Sequence, residues 1–149
     1  MAKSNIEQFD EYTGKIFAIL FAKFPVPTFL KMSEVEPNGL EFSEHTQMLV
    51  LNADGRFFAA TAEWLREAGY VRFSEISQDG YVQKAVLSAK ALEVLKAIPN
   101  SLTSSSIGEQ LQEAAKGGML DALKGLTNEA LSRGLAMATT AAVNYANNT

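Results

Sequence analysis

Thirteen of the fourteen aromatic side chains lie before Pro99, and only Tyr145 follows it. Aromatic residues bury the largest apolar area each, so the packed core is expected within residues 1–99. Residues 99–106 (Pro-Asn-Ser-Leu-Thr-Ser-Ser-Ser) have the composition of a stop and a loop. The chain therefore reads as a domain over 1–99, a linker over 100–106, and an Ala- and Gly-rich amphipathic helical tail over 107–146. Leu, Ile, Val and Phe make up about a quarter of the residues, enough apolar material for a folded core.

Inside the first part, Ile6, Phe9, Ile16, Phe17, Leu20 and Phe24 recur at helical spacing, widened by Tyr12 and Ile19. Pro25 and Pro27 end that helix, since proline removes a ladder donor and restrains the residue before it. Residues 28–32 predict a short strand, and Pro37-Asn38-Gly39 a turn. Ser43 predicts the N-cap of a short helix carrying Met48, Leu49 and Leu51. Asp54 predicts the cap of a second helix over 56–68. The strongest local signal is Asp79-Gly80 between two strand-like runs, 70–76 and 81–87, because Gly80 accepts the positive φ of a hairpin turn. Ser88 then predicts the cap of a helix with Leu92, Leu95 and Ile98 on one side.

Composition excludes several chemistries. Cysteine is absent and His45 is the single histidine, which removes disulfide frameworks, thiolate metal sites, thiol nucleophiles and multi-His centres. Gly117-Gly118 opens no phosphate-binding motif, and Ser104-Ser105-Ser106 has no neighbouring base. No enzyme activity, metal or cofactor is expected. The longest apolar run, Ile16 to Ala22, is seven residues, against about 20 needed to span a bilayer. The N-terminal residues lead into Glu7, Asp10 and Glu11 rather than an apolar signal core. A cytoplasmic protein is the expectation.

Two stretches carry a family resemblance. Trp64-Leu-Arg-Glu-Ala-Gly-Tyr-Val71 looks like the end of a recognition helix entering a wing, and Leu87-Ser-Ala-Lys-Ala-Leu-Glu-Val-Leu95 is similar to the start of a post-wing helix. In this second stretch serine replaces the usual threonine, and Ala91 stands where glycine is frequent. Together with the element order, they make residues 5–98 resemble a winged helix-turn-helix domain. The resemblance implies a mainly α fold with a small β-hairpin wing. It also implies a regulatory role as an oligomeric DNA-binding transcription factor, with Arg56, Arg66, Arg72 and Lys84 as nucleic-acid contacts.

The charges temper that implication. The net charge is −4, and residues 1–99 hold ten basic against thirteen acidic side chains. Helix 56–68 is neutral, its cations Arg56 and Arg66 offset by Glu63 and Glu67. Those arginines also stand about 80° from alignment at 100° per residue, and Arg66 can pair with Glu63. Phosphate affinity needs uncompensated cations. The alternative is an acidic winged-helix module for protein–protein contact without DNA. Trp64 reads as a core residue stapling its helix to the wing or first helix, with partner docking as the other reading.

In the tail, Leu111, Leu123, Leu131 and Leu135 belong to an apolar stripe with three- and four-residue steps, broken near Gly117-Gly118 and again near Gly125. Gly134, Ala138 and Ala142 permit close helix approach. A stripe of this length requires cover, so the tail is expected to pack on the first domain or on another subunit, with those leucines as self-association residues of a homodimer.

Overall fold

The structure, a computed structural model, describes residues 3–99 and 104–147 and, within the last helix, side chains as far as Met137. The first helix, α1 (Asn5–Lys23), begins where Ser4 Oγ accepts from Glu7 N at 3.1 Å and stops before Pro25. It is buried on both sides. Tyr12, Ile16, Phe17 and Leu20 are at most 2% exposed, and Gly14 and Ala18 are buried among them. After α1 come β1 (Thr28–Lys31), a 3-10 turn (Met32–Glu34), β2 (Leu40–Ser43), β3 (Met48–Leu51) and α2 (Ala53–Glu67). Then follow β4 (Val71–Arg72), β5 (Tyr81–Leu87), α3 (Ala89–Lys96), α4 (Ile107–Lys116) and α5 (Leu120–Asn147). The fold is thus mainly helical with small antiparallel sheets.

The segment 43–51 differs from the expected helix: β2 and β3 form a hairpin, pairing Leu40 with Leu51 and Phe42 with Leu49. The cause lies at its ends. Asn52 N donates to Gly39 O at 3.0 Å and Asn52 Nδ2 to Asn38 O at 2.6 Å, so the chain returns to where the segment began. A helix over 40–51 would hold those ends about 18 Å apart. At the tip, Ser43 Oγ accepts from Thr46 N, which makes a turn cap of the residue expected to start a helix.

The second hairpin forms, but of the expected strand over 70–76 only Val71–Arg72 is regular, with an isolated bridge from Ile76 to Val82. In a three-stranded sheet of order β1-β5-β4, Val71 pairs with Leu87 and Arg72 with Val86. Ser77 N reaches Tyr81 O at 2.9 Å around a turn where Gly80 has φ 88°. Helix α2 closes on Gly69 at φ 84°, with Tyr70 N bonded back to Leu65 O at 2.8 Å, a glycine-terminated end that satisfies a late carbonyl. Asn52, rather than Asp54, caps its start through Oδ1 to Gly55 N.

The tail closes the same core. Ile107, Leu111 and Leu123 are fully buried in one apolar cluster with Ile16, Phe17 and Leu95. The close approach of α1 and α5 depends on Gly14, where a Cβ would sit 2.8 Å from Leu123 Cγ. The break at Gly117-Gly118 is present, with Gly118 at φ 65°, whereas α5 runs unbroken through Gly125. Asn100 to Thr103 of the expected linker lie outside the described residues, as do the side chains of Ala138, Ala142 and Tyr145.

Candidate functional site

Of the expected nucleic-acid contacts, both cations of α2 are held by their own chain. Arg56 Nη1 donates to Leu51 O at 2.8 Å, tying the first turn of α2 to the end of β3. Arg66 Nη2 meets Glu63 Oε2 at 2.6 Å, and its guanidinium carbon lies 4.3 Å from the centroid of the Phe73 ring. Arg72 on β4 and Lys84 on β5 are exposed, Lys84 in a left-handed conformation at φ 57°. Ten helical residues place Arg56 about 15 Å along α2 from Arg66. Contact with Phe73 draws Arg66 toward the wing and Arg72, leaving Arg56 at the opposite end of the helix. Glu67 on α2 and Glu75 and Asp79 on the wing are exposed among these cations.

Trp64 lies elsewhere than the core position expected of it: it is 47% exposed. Burial on α2 goes instead to Phe58, Thr61, Ala62 and Leu65, and the helix packs chiefly on α1 and next on β4. Phe57, Ala60, Thr61 and Trp64 recur at steps of three, four and seven and form a second apolar face, turned toward the first turns of α1. There Asn5, Ile6 and Phe9 complete a groove of about 350 Å³ whose lining contains no ionisable side chain. Ile6 at its mouth is 62% exposed. The rings brace one another: Phe9 meets Trp64 edge-on at 5.2 Å, and Trp64 stacks on Tyr70 at 6.4 Å and 16°. Lys90 Nζ lies 4.1 Å from the Tyr70 centroid, and Tyr70 Oη donates to Leu131 O at 3.3 Å. Burial pushes the Tyr70 phenol above its ordinary pKa, which keeps it a neutral donor.

Trp64 also borders a second cleft of about 510 Å³, shared with Tyr70, Lys90, Leu131, Gly134 and Leu135. Of the tail leucines expected to drive self-association, Leu131 is half-buried at this cleft and Leu135 is 69% exposed. Leu111 and Leu123 are spent on α1 within the same chain, which resolves their cover in favour of the first domain.

The first turns of α1 are fixed by a polar network on the side away from Trp64. Lys3 and Lys15 both reach the Glu11 carboxylate. Burial alone would raise the pKa of Glu11, but those two ammonium groups outweigh it and hold the carboxyl below its usual range. Gln8 Nε2 donates to Tyr12 Oη at 3.0 Å and to Asp54 Oδ1 at 2.9 Å, and Tyr12 Oη donates to Glu36 Oε2 at 3.0 Å. Burial and the neighbouring Glu36 carboxylate raise the Tyr12 phenol strongly. Asp10, 6% exposed at the α5 contact, has its pKa raised by burial despite a hydrogen bond from Asn128 and the nearby Lys124.

A larger cleft of about 670 Å³ separates the β2–β3 hairpin from the wing, walled by Met32, Leu40, Met48 and Leu49, with Lys31, Asp79 and Tyr81 as its ionisable lining. His45 is exposed in the β2–β3 turn. Among the described residues no three His, Cys, Asp or Glu side chains are grouped to hold a metal ion, and no helix is long and apolar enough to cross a membrane.

No family model, curated protein or solved structure matches the chain. The residues that pattern reading missed are Ile6, Phe9, Phe57 and Ala60. Ile6 and Phe9 look like core members of the α1 stripe. The available signal was the doubled apolar pattern on α2, with 57, 60 and 64 alongside 58, 62 and 65, since a helix covering one core needs only one such face.

Proposed function

We propose that this chain is a non-catalytic, winged-helix-like module that works by protein–protein contact, its Trp64 face receiving an amphipathic helix. The carrying observation is the outward side of α2. A DNA-reading helix presents free cations to phosphate; here Arg56 and Arg66 are bonded to Leu51 O and Glu63, while Trp64 stands exposed beside an uncharged groove. Two adjacent helices with apolar residues at three- and four-residue steps form the seat that a third helix occupies. Trp64 is the residue type enriched at binding hot spots.

The sheet order β1-β5-β4 and the helix preceding the wing support the winged-helix part of the reading. The departure is the β2–β3 hairpin, which stands where the family places the first helix of its helix-turn-helix pair. That departure weighs further toward protein contact, because the missing helix is the one that braces a reading helix across the DNA backbone.

The test is a fluorescence-anisotropy titration of labelled random-sequence duplex DNA at roughly 50 and 200 mM salt. The expected result is no saturable binding at either salt. Saturable binding at the lower salt that weakens at the higher, and is lost in Arg56→Ala and Arg66→Ala, overturns the proposal in favour of a DNA-binding regulator.

A further inference from the structure

Resting on that reading, we infer that the helix received by the Trp64 face is α5 of a second copy of this chain, in a reciprocal two-fold dimer. Gly134 is buried against Tyr70, but the next three residues, Leu135, Ala136 and Met137, are all exposed, and α5 continues to Asn147. From residue 135 that length of helix amounts to about 20 Å. Leu135 and Trp64 border the same cleft, and Trp64 also forms one wall of the α1–α2 groove. Helix and groove thus lie side by side on one continuous face. A face that carries both an insert and its receptor is self-complementary, and two copies related by a two-fold axis close on each other without leaving an open end.

Charge selects the same occupant. No Asp, Glu, Lys or Arg occurs after Arg133, and the groove lining has no ionisable side chain to compensate one. A charged helix would be desolvated there without a partner, whereas this helix brings none.

The experiment is sedimentation equilibrium of the full chain over roughly 1 to 100 μM, with Trp64 emission followed on dilution. The expected mass is twice the 16.2 kDa of one chain, and Trp64 emission shifts to the red as dimers part. Ile6→Lys and Leu135→Glu change exposed side chains on opposite halves of the contact, so far-UV circular dichroism should be unaltered. Each alone should weaken association at least tenfold. An equimolar mixture of the two variants should return to dimer mass, because one of its two contacts pairs Lys with Glu and the other is wild type.

A monomer at all concentrations, a dimer indifferent to both changes, or a mixture that stays monomeric overturns the inference. None of these results touches the DNA titration, whose failure would fall on the underlying reading alone.

Discussion

Replacing Leu123 with alanine asks whether the tail is part of the domain or an appendage to it. Leu123 is 0% exposed and packs against α1 at Gly14. Losing three buried carbons forfeits about 2.4 kcal/mol of transfer free energy at about 0.8 per carbon. The cavity left between α1 and α5 brings the expected loss to about 3–4 kcal/mol. A domain of this size has about 5–15 kcal/mol in total, so the variant remains folded but is markedly weakened. With a urea slope of about 2 kcal/mol per molar, the midpoint falls by roughly 1.5–2 M. Trp64, the single tryptophan, sits on α2, far from residue 123 in sequence. In the folded chain it borders α5 at Leu131 and Leu135, so its fluorescence reports the junction between α2 and the tail, while circular dichroism reports the helices of both. Fluorescence and circular dichroism should move together by the full amount. A Trp64 transition unmoved while helical signal is lost at lower urea would refute a shared core.

Two ionisable groups on α1 give opposite pH behaviour. Asp10 has a raised folded-state pKa, so above its ordinary value of 3.8 the unfolded chain ionises more readily and the folded state is penalised. Asp10→Asn should therefore raise the urea midpoint at pH 7, with the gain vanishing as pH falls below that value; a gain that persists there contradicts the assignment. Glu11 has a lowered folded-state pKa, so its contribution is complete above its ordinary value of 4.5 and disappears as pH falls through the folded value. Glu11→Gln should cost about 1–2 kcal/mol at pH 7, toward the low side for charged hydrogen bonds because Lys3 stays largely in water. Urea midpoints for wild type and variant should converge in acid.

The legible parts of this fold were those with punctuation in the chain. Pro25 ends α1, Gly69 ends α2, Asp79-Gly80 turns the wing and Ser88 starts α3, each acting within a few residues of itself. The β2–β3 hairpin was illegible because its turn, Glu44 to Gln47, contains neither glycine, proline nor asparagine. Gln47 adopts φ 56° without a residue type that announces it. What makes the hairpin is the Asn52–Gly39 closure, a contact across the segment that no local pattern records. Exposure of Trp64 was hidden for a related reason. Apolar spacing on α2 shows two faces, and only the packed structure reveals that the core covers the one with Phe58 and Leu65. The cover found by Leu111 and Leu123 lies on an α1 already rich in core candidates, so nothing in the tail itself distinguishes its own domain from a neighbour.

The seat of Leu123 against Gly14 also constrains how the protein is made. Those residues are about 110 positions apart, so α1 is missing one of its walls until α5 has left the ribosome. At about 5–20 residues per second that interval is roughly 5 to 20 seconds. Throughout it, the side of α1 that α4 and α5 will cover has no partner within the nascent chain. Residues 5–98 are thus expected to emerge as a client for holding chaperones and to complete their fold only once α5 has been synthesised.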